Sequence, residues 1–170
     1  MHILETDRLV LRDLTLEDAP FVLELLNSKG FLENIGDRGL RSVEDAERYI
    51  RDVFMALYAR HGFGLWAVVL KETGELTGIC GLVKRDGLDH PDVGYAFLER
   101  FFGRGYAVES AAATLAYARD TLGLRTILGI TVPENAGSVR VLERIGLERR
   151  GMITLPKIDR PNLLFATPDA

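Results

Sequence analysis

The chain has 170 residues, 47% hydrophobic and 27% charged, enough for one apolar core in one domain spanning 1–170. A formal charge of −4 and a pI near 5.4 speak against general nucleic-acid binding, which needs a basic face to neutralise phosphates. The single cysteine, Cys80, excludes an internal disulfide; with no signal-peptide pattern and no apolar run of membrane length, the chain reads as soluble and cytoplasmic, with no membrane partner.

In chain order, "RLVLRDL" (8–14) alternates as a strand does. "TLEDAPFVLELLNSKG" (15–30) follows as a helix: Thr15 stands at its cap, Asp18 three residues on, and Phe21, Val22, Leu25 and Leu26 form an apolar stripe. "FLENIGDRGLR" (31–41) reads as a charged, glycine-punctuated loop. Ser42, with Asp45 as its box partner, opens a second helix whose buried face is Tyr49, Ile50, Val53, Phe54, Leu57 and Tyr58. Strands at 63–71 and 76–85 flank the turn "ETGE" and pair as an antiparallel hairpin. "GLDHP" breaks the chain before a strand at 92–101. The turn "RFFGRGYA" leads into a helix to about Leu122, stopped by Gly123. A strand at 125–132 and a short helix at 133–146, capped by Asn135 and ended by Gly146, come next. Two strands about a turn at Pro156–Pro161 close the chain, and the last segment, "PNLLFATPDA", is a candidate to pair across a homodimer. The layout is α+β, with a single parallel crossover expected at 92–132.

The turn at 100–107 holds two glycines one residue apart between a strand and a helix. A helix N-terminus leaves main-chain N–H groups without intrahelical partners, and the helix dipole adds partial positive charge there. Glycine lets backbone approach an anion closely, so the turn is a candidate phosphate cradle, with Arg100 and Arg104 adding charge. The dinucleotide fingerprint fails, because its third glycine is replaced by Val108, and no Gly-Lys-Ser/Thr P-loop is present.

"RFFGRGYA" resembles the Arg/Gln-x-x-Gly-x-Gly/Ala motif of GNAT N-acetyltransferases, and "VPENAGSVRVLERIGL" resembles the segment that follows it in that family. "LETDRLVLRDLTLEDA" and "VGYAFLERFFGRGYAVES" are similar to the branch that acetylates ribosomal-protein N-terminal amines. The resemblance covers nearly the whole chain. It implies a mostly antiparallel, twisted sheet of about six to seven strands, splayed in the middle, with about four helices on both faces. It also implies acetyl-CoA as cosubstrate. The amides of Phe102, Gly103, Arg104, Gly105, Tyr106 and Ala107 would hold the CoA pyrophosphate. A bulge at Phe97 and Leu98 would meet the thioester carbonyl, and Asn135 and Ser138 would face the CoA arm.

Direct acetyl transfer needs a neutral amine, an N–H donor at the developing oxyanion and a tolerable thiolate. Asp92 stands where the family places the carboxylate that takes the amine proton; Glu99 and Glu109 are alternatives, and a plain strand-start aspartate is the structural one. The family's acid, a tyrosine seven residues after the asparagine, is Leu142 here, and Ser138 is the expected substitute. Cys80, Trp66 and Phe63 read as core, and Glu33, Asp37 and Arg38 occupy the region linked to acceptor selectivity. No His, Cys or Asp cluster has metal-ligand spacing, so no metal is expected. The expected acceptor is a peptide N-terminus. A small-molecule amine (polyamine, aminoglycoside or amino acid) and a non-catalytic acyl-CoA-binding module are the alternatives.

Overall fold

The computed structural model describes residues 1–168. Its strands are β1 (His2–Glu5), β2 (Leu9–Arg12), β3 (Leu65–Leu70), β4 (Leu76–Val83), β5 (Asp92–Phe97), β6 (Leu128–Thr131), β7 (Glu148–Ile153) and β8 (Asn162–Ala166). Its helices are α1 (Ala19–Leu26), α2 (Lys29–Asn34), α3 (Val43–Tyr49), α4 (Ala56–His61), α5 (Tyr106–Asp120) and α6 (Ala136–Arg144). One sheet holds all the strands in the order β1-β2-β3-β4-β5-β6-β8-β7. Neighbours are antiparallel except β5 and β6, which are joined through α5 as the sequence led us to expect.

Three elements differ from their expected form. The N-terminal "HILE" adds a short strand, because residues 2–5 pair with β2 and complete an edge hairpin. The helix expected over 15–30 breaks at Asn27 and Ser28, and the expected loop begins instead as α2, which buries Phe31. The second helix runs from Val43 to His61 through a π-helical segment, Ile50–Met55. That wider turn keeps Ile50 and Phe54 buried while Tyr49, Val53 and Leu57 face the central cleft.

The C-terminal segment also differs. β8 lies between β6 and β7 and pairs with both, so residues 162–166 have no free edge for a second copy. Asp169 and Ala170, the end of that segment, lie outside the described residues. Among the described residues no helix is long and apolar enough to cross a membrane.

The core is continuous from the sheet to α1, α3 and α5. Trp66 is buried and meets Tyr117 of α5 edge to face at 5.7 Å, and Cys80 is buried beside Thr114. The start of α1 is held by charge. Arg12 donates to both carboxylate oxygens of Asp18 (2.8 and 2.9 Å), and the Thr15 amide donates to the same carboxylate at 2.8 Å. Burial raises the Asp18 pKa, but Arg12 and Thr15 outweigh it and leave the carboxyl below its ordinary value. Asp18→Ala is therefore expected to cost about 3 kcal/mol at neutral pH, read from urea midpoints, because the Arg12 cation loses its partner. A depressed pKa contributes stability only above the titration. The gap to wild type should narrow as pH falls through the Asp18 pKa.

Candidate active site

The glycine turn has the main-chain arrangement of an anion cradle. Gly103 and Gly105 take left-handed φ values of 75° and 83°, a region that L side chains enter at a cost. The first helical bond runs from Glu109 N–H to the Gly105 carbonyl at 3.0 Å. Among the described residues, nothing accepts from the N–H groups of Gly103, Arg104, Gly105, Tyr106, Ala107 and Val108. Consecutive orphan donors at the start of a 15-residue helix suit a diphosphate in number and in charge.

Two parts of the expected cradle are corrected. The Phe102 amide is already used, donating to the Glu99 carbonyl at 3.0 Å, and its ring stands 57% exposed at the cleft mouth. The Arg100 side chain turns to Glu24 at 2.7 Å and so does not supplement the turn. Arg8, from the β1–β2 hairpin, does support it. Its guanidinium donates to the Arg104 carbonyl (2.9 Å) and to Glu109 (2.7 Å), and lies over the Tyr106 ring. Glu109 is committed to Arg8 and Thr6, which removes it as a base.

From the turn, a cleft of about 1110 Å³ runs between β5 and β6. The two strands pair only at Asp92 and Leu128 and then separate. On its other side β5 is in unbroken register with β4 from Asp92 to Phe97, so the expected bulge is absent there. The Leu98 N–H donates to Thr77 at 2.9 Å, and Leu98 is buried outside the cleft lining. Antiparallel alternation then turns the N–H groups of Tyr95 and Phe97 toward the gap. The Phe97 N–H thus opens toward the cleft, whereas that of Leu98 does not.

Asp92 lies at the far end of the cleft, 1% exposed. Arg85 Nε reaches its two oxygens at 3.0 and 3.2 Å. Burial raises the Asp92 carboxyl and Arg85 pulls it back only in part, leaving it pushed up to about 6. A carboxylate at that value is ionised at neutral pH and accepts a proton more readily than an ordinary aspartate.

Asn135 caps α6, accepting from the Ser138 amide at 3.2 Å. Both residues line the cleft wall opposite β5. The Ser138 hydroxyl meets the Tyr95 hydroxyl at 2.8 Å, and Tyr95 also lies 3.1 Å from the Ser138 carbonyl. Burial raises the Tyr95 phenol and the Ser138 bond opposes this, with a net upward shift that keeps the phenol protonated. Leu142, at the position where the family places tyrosine, is 1% exposed and is directed at Gly129, where an added Cβ would lie 2.7 Å from it. It does not line the cleft. Tyr95 thus brings in from β5 a phenol that position 142 lacks.

Tyr95, Arg85 and Arg8 were missed from sequence. The period-two pattern of "DVGYAF" places the side chains of Val93, Tyr95 and Phe97 on one face, but nothing local links Tyr95 to a serine 43 residues on. At the Asp92 end, the β7–β8 loop crosses to α2, where Arg160 donates to the Glu33 carbonyl at 2.7 Å. Of Glu33, Asp37 and Arg38, the last two line the cleft and Glu33 does not; the Asp37 carboxylate is held at 2.8 Å by Arg41. Among the described residues no His, Cys, Asp and Glu cluster could hold a metal ion.

Residues 8–148 match the family described as an acetyltransferase (GNAT) domain. The chain is 28% identical over 152 residues to YoaA of Bacillus subtilis, an uncharacterized N-acetyltransferase, covering 89% of this chain and 85% of that one. A GNAT-family acetyltransferase from Bacillus anthracis aligns with a TM-score of 0.80 at 27% identity, over 98% of this chain and 97% of that one. RimL, a ribosomal-protein α-N-acetyltransferase solved with coenzyme A, shares the fold at a TM-score of 0.80 and 20% identity, covering 98% and 97%.

Proposed function

The chain belongs to the acetyltransferase (GNAT) family and is an acetyltransferase, and from that premise we propose that it acetylates the α-amine of a peptide or protein N-terminus. The observation that carries the reading is the placement of Asp92. It is a buried carboxylate raised to about 6, at the opposite end of one open cleft from a row of unpaired main-chain donors. The cleft is also lined by the segments at 35–38 and 157–160, most of whose residues are exposed. An acceptor with a chain attached can extend along them.

The residues divide the work as follows. Bound acetyl-CoA supplies an acetyl thioester. The amides of Gly103 to Val108 hold its diphosphate, and Asn135 and Ser138 border its arm. The Phe97 N–H donates to the thioester oxygen as charge grows there. Asp92 takes the proton from the acceptor amine, directly or through one water. The Ser138 hydroxyl donates a hydrogen bond to the leaving thiolate sulfur, keeping its proton, and Tyr95, 2.8 Å away, holds that hydroxyl in place. No covalent enzyme intermediate is needed.

A thiol of pKa about 8.5 leaves tolerably unaided, so the hydroxyl pair has a modest effect. Ser138→Ala is expected to lower kcat about tenfold and Tyr95→Phe about threefold, by thiol release, with acetyl-CoA affinity unchanged. The double variant should resemble Ser138→Ala alone, because the tyrosine acts through the serine. The acceptor class is tested by thiol release with free and N-acetylated peptides against spermidine, kanamycin and free amino acids. Turnover of the free peptides is expected, with none for blocked ones. Faster turnover of the small amines would replace the peptide reading with the small-molecule one.

A further inference from the structure

We propose that the acceptor end of the cleft selects an amine with a carboxylate close by, and disfavours polycationic amines. The inference rests on the acetyltransferase reading above and names the substrate class of that same site.

The observation is a local charge imbalance in an acidic protein. Arg38, Arg85, Lys157 and Arg160 line this end, with Asp37, Asp92 and Asp159 as the acids. Two of these acids are already engaged, the buried Asp92 by Arg85 and the exposed Asp37 by Arg41, which is not among the cleft-lining residues. Lys157 has a loose, exposed partner in Asp86 at 3.8 Å. Among the described residues no carboxylate pairs with Arg38 or Arg160. Asp159 is the one acid among these without a cationic partner among the described residues.

Orientation strengthens the point. Arg160 is tied to the Glu33 carbonyl by one nitrogen, and among the described residues its other guanidinium donors have no partner. Arg38 lies near the Phe31 ring, its guanidinium carbon 5.9 Å from the centroid. Arg85 uses only Nε on Asp92, so the outer edge of its fork is open beside the proposed base. Arginine presents a planar fork that fits a carboxylate through two parallel bonds. An amine delivered to Asp92 therefore arrives with guanidinium groups around the rest of its molecule. A carboxylate there is attracted, and a second ammonium is repelled.

The carboxylate has two possible sources: an acidic side chain just after a peptide's N-terminal residue, or the carboxylates of a free amino acid. The test is thiol release at low and moderate salt with Ala-Asp-Glu-Ala and Ala-Lys-Lys-Ala peptides (C-terminally amidated), free aspartate and glutamate, and spermidine. The acidic peptide is expected to exceed the basic one at least tenfold in kcat/KM, and its advantage should shrink with salt. In Arg38→Gln and in the Arg38→Glu/Arg160→Glu variant that advantage should fall toward unity. The exposed single substitution keeps the test decisive if the double variant folds poorly.

Equal turnover of both peptides, insensitive to salt, would overturn the carboxylate inference and leave the peptide reading standing. Turnover of aspartate or glutamate with neither peptide used would support the carboxylate inference and overturn the peptide reading. Preference for spermidine would overturn both.

Discussion

Gly105→Val is expected to weaken acetyl-CoA binding by at least two orders of magnitude while the protein stays folded. Gly105 has φ of 83° and stands immediately before α5, and a Cβ built there lies 3.3 Å from Arg8 Nη2. A β-branched residue at that φ costs roughly 1–2 kcal/mol, which in a chain of this size lowers Tm by a few degrees. Relief of the strain rotates the peptide planes on either side, and these carry two of the unpaired N–H groups. It also displaces the guanidinium that holds the Arg104 carbonyl. Each hydrogen bond to a charged group is worth about 1.5–3 kcal/mol, so misdirecting two of them accounts for a loss of a hundredfold or more. Calorimetric titration of the variant beside its melting curve separates lost binding from lost fold. Affinity within threefold of wild type would mean that the turn's main chain does not grip the ligand.

Asp92→Asn is expected to lower kcat at least a hundredfold with little change in acetyl-CoA affinity. A positioned general base contributes about 10²–10⁴ in rate, and asparagine keeps the shape and an acceptor for Arg85 while removing basicity. The pH profile makes the test sharper. The carboxylate must be ionised to take a proton, and its pKa is pushed up to about 6. Wild-type kcat should therefore fall tenfold per unit below about pH 6, with a second, separate rise at higher pH as the acceptor amine loses its own proton. The variant should lose that limb and retain only the later rise from the acceptor's own amine, whose ordinary value is near 8. Wild-type-like kcat in Asp92→Asn would move the base elsewhere.

What the sequence made legible was governed by local rules. The glycine turn was visible because two glycines sit where a strand pattern gives way to a helical one, and both do take positive φ. Asp92 was visible because it opens an alternating run, and β5 does begin at that residue. The α2 helix was hidden because Gly30, Gly36 and Gly39 punctuate the segment, while one buried phenylalanine suffices to anchor its short turn. The edge strand β1 was hidden because four residues give too short a pattern.

The remaining site features depend on contacts between distant residues. Arg160 reaches the Glu33 carbonyl across 127 positions, and Arg8 reaches Glu109 across 101. Leu98 illustrates a finer limit. The strand was placed correctly, yet which of two adjacent amides faces the gap depends on register with β4, and a one-residue difference reverses the answer. Position 142 is similar. Its identity as leucine is plain, but only the packing of its side chain toward Gly129 turns attention to Tyr95 as the phenol in the cleft.

The central claim is that main-chain donors at the turn hold a diphosphate, so the most direct measurement compares ligands with and without one. Calorimetric titration of the wild type with acetyl-CoA, S-acetylpantetheine and NAD makes that comparison. The expected result is micromolar binding of acetyl-CoA, about −8 kcal/mol, with S-acetylpantetheine, which lacks the diphosphate, at least a hundredfold weaker, and NAD, which has a diphosphate but no pantetheine arm, weaker than acetyl-CoA. Equal affinity for acetyl-CoA and S-acetylpantetheine, or no binding of acetyl-CoA, would contradict the claim and reduce the glycine turn to a connection between β5 and α5.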